Sequence, residues 1–388
     1  MTERLYYVDS YLREFRASVV ETAGDGRVYL DRTALYPTSG GQPQDGGTIG
    51  DVPVIEVIDE GERIAHVTAA AVPSGEVECR VDWPRRLDHM QQHTGQHLLS
   101  AVLIETCGAP TVSFHLGAES SSIDVTATTL SEGQLAAAEI RANEVVFENR
   151  PVRISFEDSQ NAAGLRAPTE RAGTLRIVTI DELDRSACGG THVRTTAEVG
   201  PILIGKVERA HGNVRIEFLC GMRAVKRAHA DFEALTRIAR TFSAAPYDTP
   251  ALVTAQAEAL DAAEKSRRKL AAEAARRNGV DLYAATAPDA SGLRRALHRI
   301  TKGALDDEVR ALAQGFVSGA KAWFVAVSED PPSVLVAASK DAGIHAGNLV
   351  KEAVTALGGR GGGNPQMAQG SVPGRDGLAA VVERLQGG

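Results

Sequence analysis

Two short histidine-containing stretches carry the residue types best suited to bind a transition metal. The first runs His89-Met-Gln-Gln-His93-Thr-Gly-Gln-His97, in a segment whose apolar residues recur every three or four positions. This spacing predicts a helix over about 86–106, and residues four apart on a helix share one face, so His93 and His97 can bind one ion together. His89, one turn earlier on the same face, is a competing ligand or a residue beside the site.

The second stretch, Cys188-Gly-Gly-Thr-His192, presents a thiol and an imidazole on a glycine-rich turn. Nitrogen and thiolate donors match the preferences of zinc, whereas calcium and magnesium require oxygens. We therefore predict one Zn²⁺ per chain, with ordinary surface or core histidines as the alternative. Thr94 stands where zinc metalloproteases carry a glutamate, which argues against peptide hydrolysis of that type.

Composition and charge describe a globular chain of two or three domains. Of its 388 residues, 43% are hydrophobic and 24% are charged. No apolar run approaches the ~18 residues of a membrane-spanning helix, and the N-terminal stretch lacks the apolar core of a signal peptide. The four cysteines include no Cys-x-x-Cys pair. We therefore expect a cytoplasmic protein with no membrane partner.

Hydrophobic periodicity predicts an α+β protein in four sections. These are a small N-terminal β-barrel, a mixed α/β domain that holds the zinc ligands, a helical hairpin and a small C-terminal α/β domain. The predicted bounds are 1–85, 86–222, 223–285 and 286–388. Pro246 and Pro250 interrupt the helical section. Either this section or the last domain is a candidate contact for a homodimer.

The metal-ligand stretches form part of a recognisable pattern. His93-Thr-Gly-Gln-His97 with Cys188-Gly-Gly-Thr-His192 resembles the editing domain of alanyl-tRNA synthetases and of the freestanding alanyl-tRNA editing proteins. The stretch Leu30–Gly47, LDRTALYPTSGGQPQDGG, is similar to the N-terminal signature of that family. Gly358–Gln369 resembles the glycine-rich part of the synthetase's last domain, the DHH-associated domain. The resemblance covers almost the whole chain.

This resemblance implies an enzyme that hydrolyses the aminoacyl ester of mischarged tRNA(Ala), chiefly seryl-tRNA and with glycyl-tRNA as a further candidate. Such an enzyme is needed because a pocket for a small apolar side chain rejects similar amino acids by only about 1–3 kcal/mol. Since the chain begins with the barrel, we expect the long freestanding type, acting in trans and without ATP.

The resemblance also assigns roles to particular residues. It makes His93, His97, Cys188 and His192 the zinc ligands, with the two helical histidines catalytic through the ion. Thr33 matches the threonine thought to contact the serine hydroxyl; without the resemblance it is an ordinary strand residue. Four protein ligands make a closed site of the kind usually found in structural zinc, so we favour an orienting role for the ion.

Two further segments are expected to line the substrate. The resemblance places Gly40, Gly41 and Gln42 in a tight loop beside it, where glycines allow close approach of the backbone. His115 is a candidate pocket residue, with a structural histidine as the alternative. Ala118 stands where the synthetase pattern has a glutamine, which leaves open how strictly serine is preferred.

The protein has a net charge of −8, so it can bind a tRNA, which is itself a polyanion, only through a local basic patch. The segment 265–302 holds ten basic residues against three acidic ones. The alternative is a solvated helix face. The predicted tRNA-binding residues are Lys265, Arg267, Arg268, Lys269, Arg294, Arg295, Arg299, Lys351 and Arg360.

Two other functions stay open at this point. The chain could be a non-catalytic, zinc-containing tRNA-binding protein, which a closed four-ligand site would suit. It could also edit another mischarged tRNA, because threonyl-tRNA synthetases carry a related editing domain. The glycine-rich loop and Thr33 count against the first function, and the C-terminal motif counts against the second.

Overall fold

The computed structural model describes residues 1–169 and 172–387. Within them the chain forms two compact units, Met1–Ile238 and Ala239–Gly388. This division falls inside the section predicted as a helical hairpin, so the four domain bounds and the pairing of its two helices stay predictions. No helix in the described ranges combines the length and the apolar character that a membrane crossing needs.

The first unit begins with the predicted β-barrel. Its strands are β1 (Glu3–Arg4), β2 (Glu14–Thr22), β3 (Arg27–Leu30), β4 (Arg32–Thr33), β5 (Gly47–Ile49), β6 (Val52–Asp59), β7 (Ile64–Thr68) and β8 (Gly75–Val81). Six of them close in the order β2-β3-β7-β6-β5-β8. Along β8 the buried Val77, Cys79 and Val81 alternate with exposed residues, because successive side chains on a strand point to opposite faces.

The rest of this unit packs helices against two further sheets. Its elements are α1 (Trp83–Cys107), β9 (Thr111–Leu116), β10 (Ser121–Val125), α2 (Glu132–Phe147), β11 (Val152–Asp158), β12 (Thr174–Ile180), β13 (Asp184–Ala187), β14 (Ile202–Ala210), β15 (Asn213–Cys220) and α3 (Met222–Thr241). The sheet orders are β14-β15-β10-β9 and β11-β12-β13. Asp82 caps α1, with proline in its first turn, where no N–H is needed.

Helix α1 runs through the core of this unit and is buried from Gln92 to Leu103. Gly95 lies so close to β15 that a Cβ there would come within 2.2 Å of the Cys220 sulfur. Gln92 exchanges two hydrogen bonds with the Cys220 backbone, at 2.9 and 3.0 Å. These contacts fix the position of α1 against the sheet, and with it the position of the two helical histidines.

The second unit is the predicted small α/β domain preceded by a long helix. Its elements are α4 (Thr249–Ala285), β16 (Arg294–Ile300), α5 (Asp307–Phe316), β17 (Ala322–Glu329), β18 (Pro332–Ala338), α6 (Ala346–Thr355), β19 (Arg360–Gly363), β20 (Met367–Ser371) and α7 (Arg375–Gly387). The sheet order is β16-β17-β18-β20-β19. Phe324 and Val325 enter different apolar clusters, because helices cover both sheet faces.

The glycine-rich C-terminal stretch forms the edge strand β19. A Cβ at Gly363 would lie 2.2 Å from the Met367 carbonyl oxygen, and one at Gly361 would lie 3.0 Å from Val350 of α6. The glycines therefore allow α6 and β20 to pack closely on this strand.

Candidate metal centre

The four predicted ligands converge on one point in the first unit. His93 and His97 lie one turn apart on α1, with ring centroids 5.3 Å apart. Cys188 and His192 lie on the loop that follows β13. The ligand atoms of all four residues lie within 4.8 Å of one another, so the cluster could hold a metal ion.

Its dimensions fit such an ion. The Cys188 sulfur lies 3.4 Å from Nε2 of His93 and 3.3 Å from Nε2 of His192. A tetrahedral ion with bonds of about 2.3 Å to sulfur and 2.0 Å to nitrogen places these atoms roughly 3.5 Å apart.

A hydrogen bond orients each of the three imidazoles through its Nδ1 atom. The Nδ1 of His93 donates to Oε1 of Gln42 at 2.9 Å, that of His97 to Asp184 at 2.9 Å, and that of His192 to the Thr94 hydroxyl at 3.1 Å. Every Nε2 is thereby left facing the centre, as metal-binding histidines require. Sequence reasoning missed Asp184 and Thr94; the signal was that ligating imidazoles commonly donate to carboxylates.

The electrostatics favour a thiolate donor. Burial alone would raise the pKa of the Cys188 thiol, but the opposing interactions, of which the charge interaction with His93 is the largest, outweigh it and hold the pKa well below its usual range. Burial lowers the pKa of His192 to about 3, which keeps this imidazole neutral. Burial lowers the pKa of His97, but the hydrogen bond to Asp184 leads the opposing effects, and the net result is a pKa raised to about 9. His97 is therefore protonated at neutral pH without an ion, and an ion that binds its Nε2 must displace that proton.

The loop of Gly40, Gly41 and Gln42 meets the metal centre directly. Gly40 and Gly41 have φ angles of 56° and 85°, a left-handed conformation that favours glycine. Gln42 is fully buried; its Nε2 donates to the Thr191 hydroxyl at 2.8 Å and its Oε1 accepts from the Thr191 N–H at 3.0 Å. Gln42 thus ties the barrel to both metal-ligand stretches, while its contact with a substrate stays a prediction.

A buried ion pair holds this loop against α1. The Arg86 guanidinium and the Asp45 carboxylate are both fully buried and bonded to each other. Arg86 also donates to the Ser10 carbonyl at 2.8 Å, and Asp45 accepts from the Tyr36 N–H at 2.7 Å. The pair positions the Gln42 loop and is a second feature that the sequence analysis missed.

Thr33 lies in the barrel and is fully buried. Its hydroxyl lies 3.0 Å from Nε2 of His66, and the Leu35 N–H donates to it at 3.1 Å. Nδ1 of His66 donates to the Val28 carbonyl at 3.1 Å, so its Nε2 accepts the Thr33 proton. The structure thus gives Thr33 a defined orientation, and its contact with a substrate hydroxyl stays a prediction.

His66 should make the protein sensitive to acid. Burial lowers its pKa from 6.5 to about 4, against the opposing effect of its bond to Val28. The unfolded chain therefore takes up a proton below pH 6.5 that the folded chain refuses until about pH 4. Stability present above pH 6.5 should fall by about 3 kcal/mol down to pH 4.

Urea unfolding at pH 7, 5 and 4 checks this expectation against a His66→Gln variant. The variant should lose about 3 kcal/mol less than the natural chain over this range. Equal losses in the two proteins would show that His66 does not contribute.

His115 lies on the exposed side of β9, where it lines a surface cavity with Ala118 and Arg215. Its neighbour Phe114 lies toward the metal centre and stacks on His93, with ring centroids 5.5 Å apart. Alternation along β9 explains why only one of the two adjacent residues meets the centre. Substrate contact by His115 stays a prediction.

The predicted tRNA-binding residues are distributed over α4, β16, α6 and β19 of the second unit. Several are paired with acids: Lys265 with Asp261 at 2.8 Å, and Arg295 with Asp289 at 3.1 Å. A cavity in this unit is lined by Arg267, Arg268 and Lys269 together with acids at the start of α5. The patch is therefore less positive than its sequence indicates.

Comparison with known proteins places this site in a class. Residues 175–217, which include Cys188 and His192, match the family described as the threonyl and alanyl tRNA synthetase second additional domain. Residues 295–387 match the DHHA1 domain, in agreement with the predicted C-terminal domain. Two of the four predicted ligands thus lie in a segment that is similar to the additional domain of these two synthetases.

Relatives refine the class. Alanyl-tRNA editing protein AlaX-L of Pyrococcus horikoshii is 31% identical over 96% of this chain and 95% of its own length. Alanyl-tRNA editing protein Aarsd1 of Bos taurus is 37% identical over 59% of this chain and 58% of its own length, so the chain spans about three fifths of that relative. Alanine–tRNA ligase of Korarchaeum cryptofilum is 32% identical over 96% of this chain and 43% of its own length. The chain belongs to the alanyl-tRNA editing protein family.

Proposed function

We propose that this protein hydrolyses the ester bond of mischarged tRNA(Ala) in trans, with seryl-tRNA(Ala) as its main substrate and glycyl-tRNA(Ala) as a second one. The observation that carries the proposal is the convergence of three oriented imidazoles and one thiolate beside the Gly40–Gln42 loop. The names of the relatives add support.

We propose zinc as the ion, because its preferred ligands are the nitrogen and thiolate donors found here. When bound, it would supply a positive charge that orients and polarises the ester carbonyl. The chain's own residues position the ligands: Gln42 orients His93, Asp184 orients His97, and Phe114 stacks on His93. Asp184 accepts bonds from His97, Arg166 and Ser186, so it positions rather than abstracts a proton.

A cytosolic setting and a homodimer through the helical section or the C-terminal domain complete the proposal. All four cysteines, Cys79, Cys107, Cys188 and Cys220, are free, which suits a reducing compartment.

The direct experiment incubates the purified protein with seryl-, glycyl- and alanyl-tRNA(Ala), with and without a chelator. We expect the seryl ester to be cleaved fastest, the alanyl ester to be spared, and the chelator to abolish cleavage. No cleavage of any of the three by zinc-loaded protein would contradict the proposal.

Thr33→Val should weaken the preference for serine. Valine keeps the shape of threonine but removes the hydroxyl, and a site that hydrogen-bonds a substrate hydroxyl loses roughly 1–3 kcal/mol of discrimination without it. We expect kcat/KM for seryl-tRNA to fall by about 10-fold or more, with glycyl-tRNA changed less. A His66→Gln variant serves as control, because it disturbs the same network while keeping Thr33. An equal loss for both substrates would reduce Thr33 to a structural residue.

The basic segment of α4 should supply part of the tRNA affinity. Replacing Arg267, Arg268 and Lys269 by glutamine should weaken binding and flatten the dependence of log K on log salt, by up to about 0.9 in slope for each phosphate that the variant no longer neutralises. Arg227→Gln on α3, which removes an exposed arginine paired with Asp231, is the control. An unchanged slope would show that this segment does not bind the tRNA.

A further inference from the structure

Beside the metal centre lies an open cavity of about 420 Å³. It contains the ligand Cys188 itself, so it adjoins the point where an ester carbonyl would be held. Its lining residues include Tyr7, Phe156, Thr174, Arg176, Cys188 and Gly189. Phe156 is 52% exposed, so its ring is accessible from the cavity side of the strand.

Arg176 of β12 carries the permanent charge among the described residues that line this cavity, and it is only 8% exposed. Its Nε donates to the Tyr7 carbonyl at 2.9 Å, and its Nη1 donates to the carbonyls of Cys188 and Gly190 at 2.7 and 2.9 Å. Its Nη2 is buried and has no hydrogen-bond partner within the described part of the chain. The guanidinium thus holds the ligand loop through Nη1, while Nη2 has no partner among the described residues.

Among the residues that the structure describes, no carboxylate pairs with the Arg176 charge. The groups that act on it most strongly after burial are the Cys188 thiol and the hydroxyls of Tyr7, Tyr36 and Tyr6. Arg86, the other deeply buried arginine of this unit, has Asp45 as its partner. The Cys188 thiolate would be shared with the proposed ion, and a buried cation without a carboxylate of its own is costly, so this arrangement favours an anionic ligand.

The proposed ion strengthens this preference. A divalent ion with one thiolate and three neutral imidazoles carries a net charge of +1, and Arg176 adds another beside it. Two adjacent positive centres attract an anion, and the planar guanidinium suits phosphate oxygens in particular.

We propose that this cavity is a phosphodiester subsite for the acceptor end of the tRNA, with Arg176 as the phosphate-binding residue and Phe156 as a stacking surface for a neighbouring base. This inference rests on the proposed function. The ribose that carries the ester is joined through its 5′ oxygen to a phosphate, so the nucleic-acid chain must pass an anion site close to the metal centre. Base stacking on an exposed aromatic ring is a common mode of single-strand recognition.

The test uses zinc-loaded, full-length protein and an uncharged acceptor-stem microhelix that ends in CCA. Each phosphodiester of the single-stranded end is replaced in turn by a neutral methylphosphonate, and Kd is measured by fluorescence anisotropy. For one linkage we expect the natural chain to lose about 10-fold in affinity. Arg176→Gln should bind the unmodified microhelix about 10-fold more weakly than the natural chain does. Its affinity should not fall further when that same linkage is neutral, because the effects of removing two interacting partners are not additive.

Two further variants separate phosphate binding from loop positioning. Arg153→Gln removes an exposed arginine from the adjacent strand β11 and should behave as the natural chain does. Arg176→Lys keeps the charge and serves if Arg176→Gln loses its zinc, which is measured for every variant. The lysine variant should keep zinc and stay sensitive to the neutral linkage.

Two results would overturn the subsite. These are equal sensitivity of Arg176→Gln and the natural chain at every linkage, or failure of the natural chain to distinguish any neutral linkage. Hydrolysis of the phosphate-free ester seryl-adenosine tests the proposed function separately. If seryl-adenosine is cleaved but Arg176 is not coupled to any one phosphodiester linkage, the proposed function stands and the subsite is wrong. If such coupling is found but seryl-adenosine is not cleaved, the subsite stands and the proposed function is contradicted.

Discussion

Replacing Cys188 by alanine is expected to abolish zinc binding and to slow deacylation by more than about 100-fold, beyond the 10–100-fold that loss of a ligand's supporting partner costs. The cause is that Cys188 is the only anionic donor among the four ligands and lies against two of the imidazoles. Zinc per chain, measured by elemental analysis, and the rate of deacylation of seryl-tRNA(Ala) are determined on the same preparation.

Cys107→Ala provides the matched control for Cys188→Ala. This second free cysteine ends α1 and takes no part in the centre, so its removal should change neither zinc content nor rate. Full activity in zinc-free Cys188→Ala would end the idea of metal-assisted hydrolysis and would leave the ion a structural role.

Asp184→Asn is expected to have the next largest effect. The asparagine oxygen can still accept from His97, but the negative charge that supports the imidazole is gone, so zinc affinity should fall about 10–100-fold. The same change leaves the Arg166 guanidinium without the carboxylate that it contacts at 2.6 Å. Asp184 is buried and Arg166 is partly exposed, so losing one side of this pair should lower the unfolding free energy by less than the about 3 kcal/mol that a fully buried pair costs.

Chelator competition gives the zinc affinity of Asp184→Asn, and urea unfolding gives its stability. Asp181→Asn removes an exposed acid from the turn just before β13 and should change neither measurement by much. If Asp184→Asn binds zinc as tightly as the natural chain, the carboxylate has no part in supporting His97.

The group of four metal-ligand residues could be predicted from the sequence because these residues occur in two short motifs whose local geometry is nearly independent of the fold. His93 and His97 share a helix face wherever that helix lies. The partners that orient the imidazoles were not predictable in this way. Gln42 and Asp184 come from distant strands and loops, and only the packing of the barrel and β13 against α1 brings them to the histidines.

Two further differences between the sequence-based predictions and the structure concern strand β9 and helix α4. Choosing between Phe114 and His115 required knowing which face of β9 is buried, and no pattern in that short strand decides it. The positive charge of α4 looked larger in the sequence than in the structure, because Asp261 and Glu264 lie just outside the counted segment 265–302 and pair with Lys265 and Arg267.

The two halves of the metal centre are separated by about 90 residues of chain, from His97 to Cys188. A bound ion would therefore act as a reversible cross-link that closes a long loop, and closing loops of this size can contribute about 4 to 5 kcal/mol by restricting the unfolded chain. Removing the metal should then affect the structure as well as the proposed hydrolysis. It should loosen the attachment of the Cys188–His192 loop to α1 and expose that loop to proteases well before the barrel unfolds.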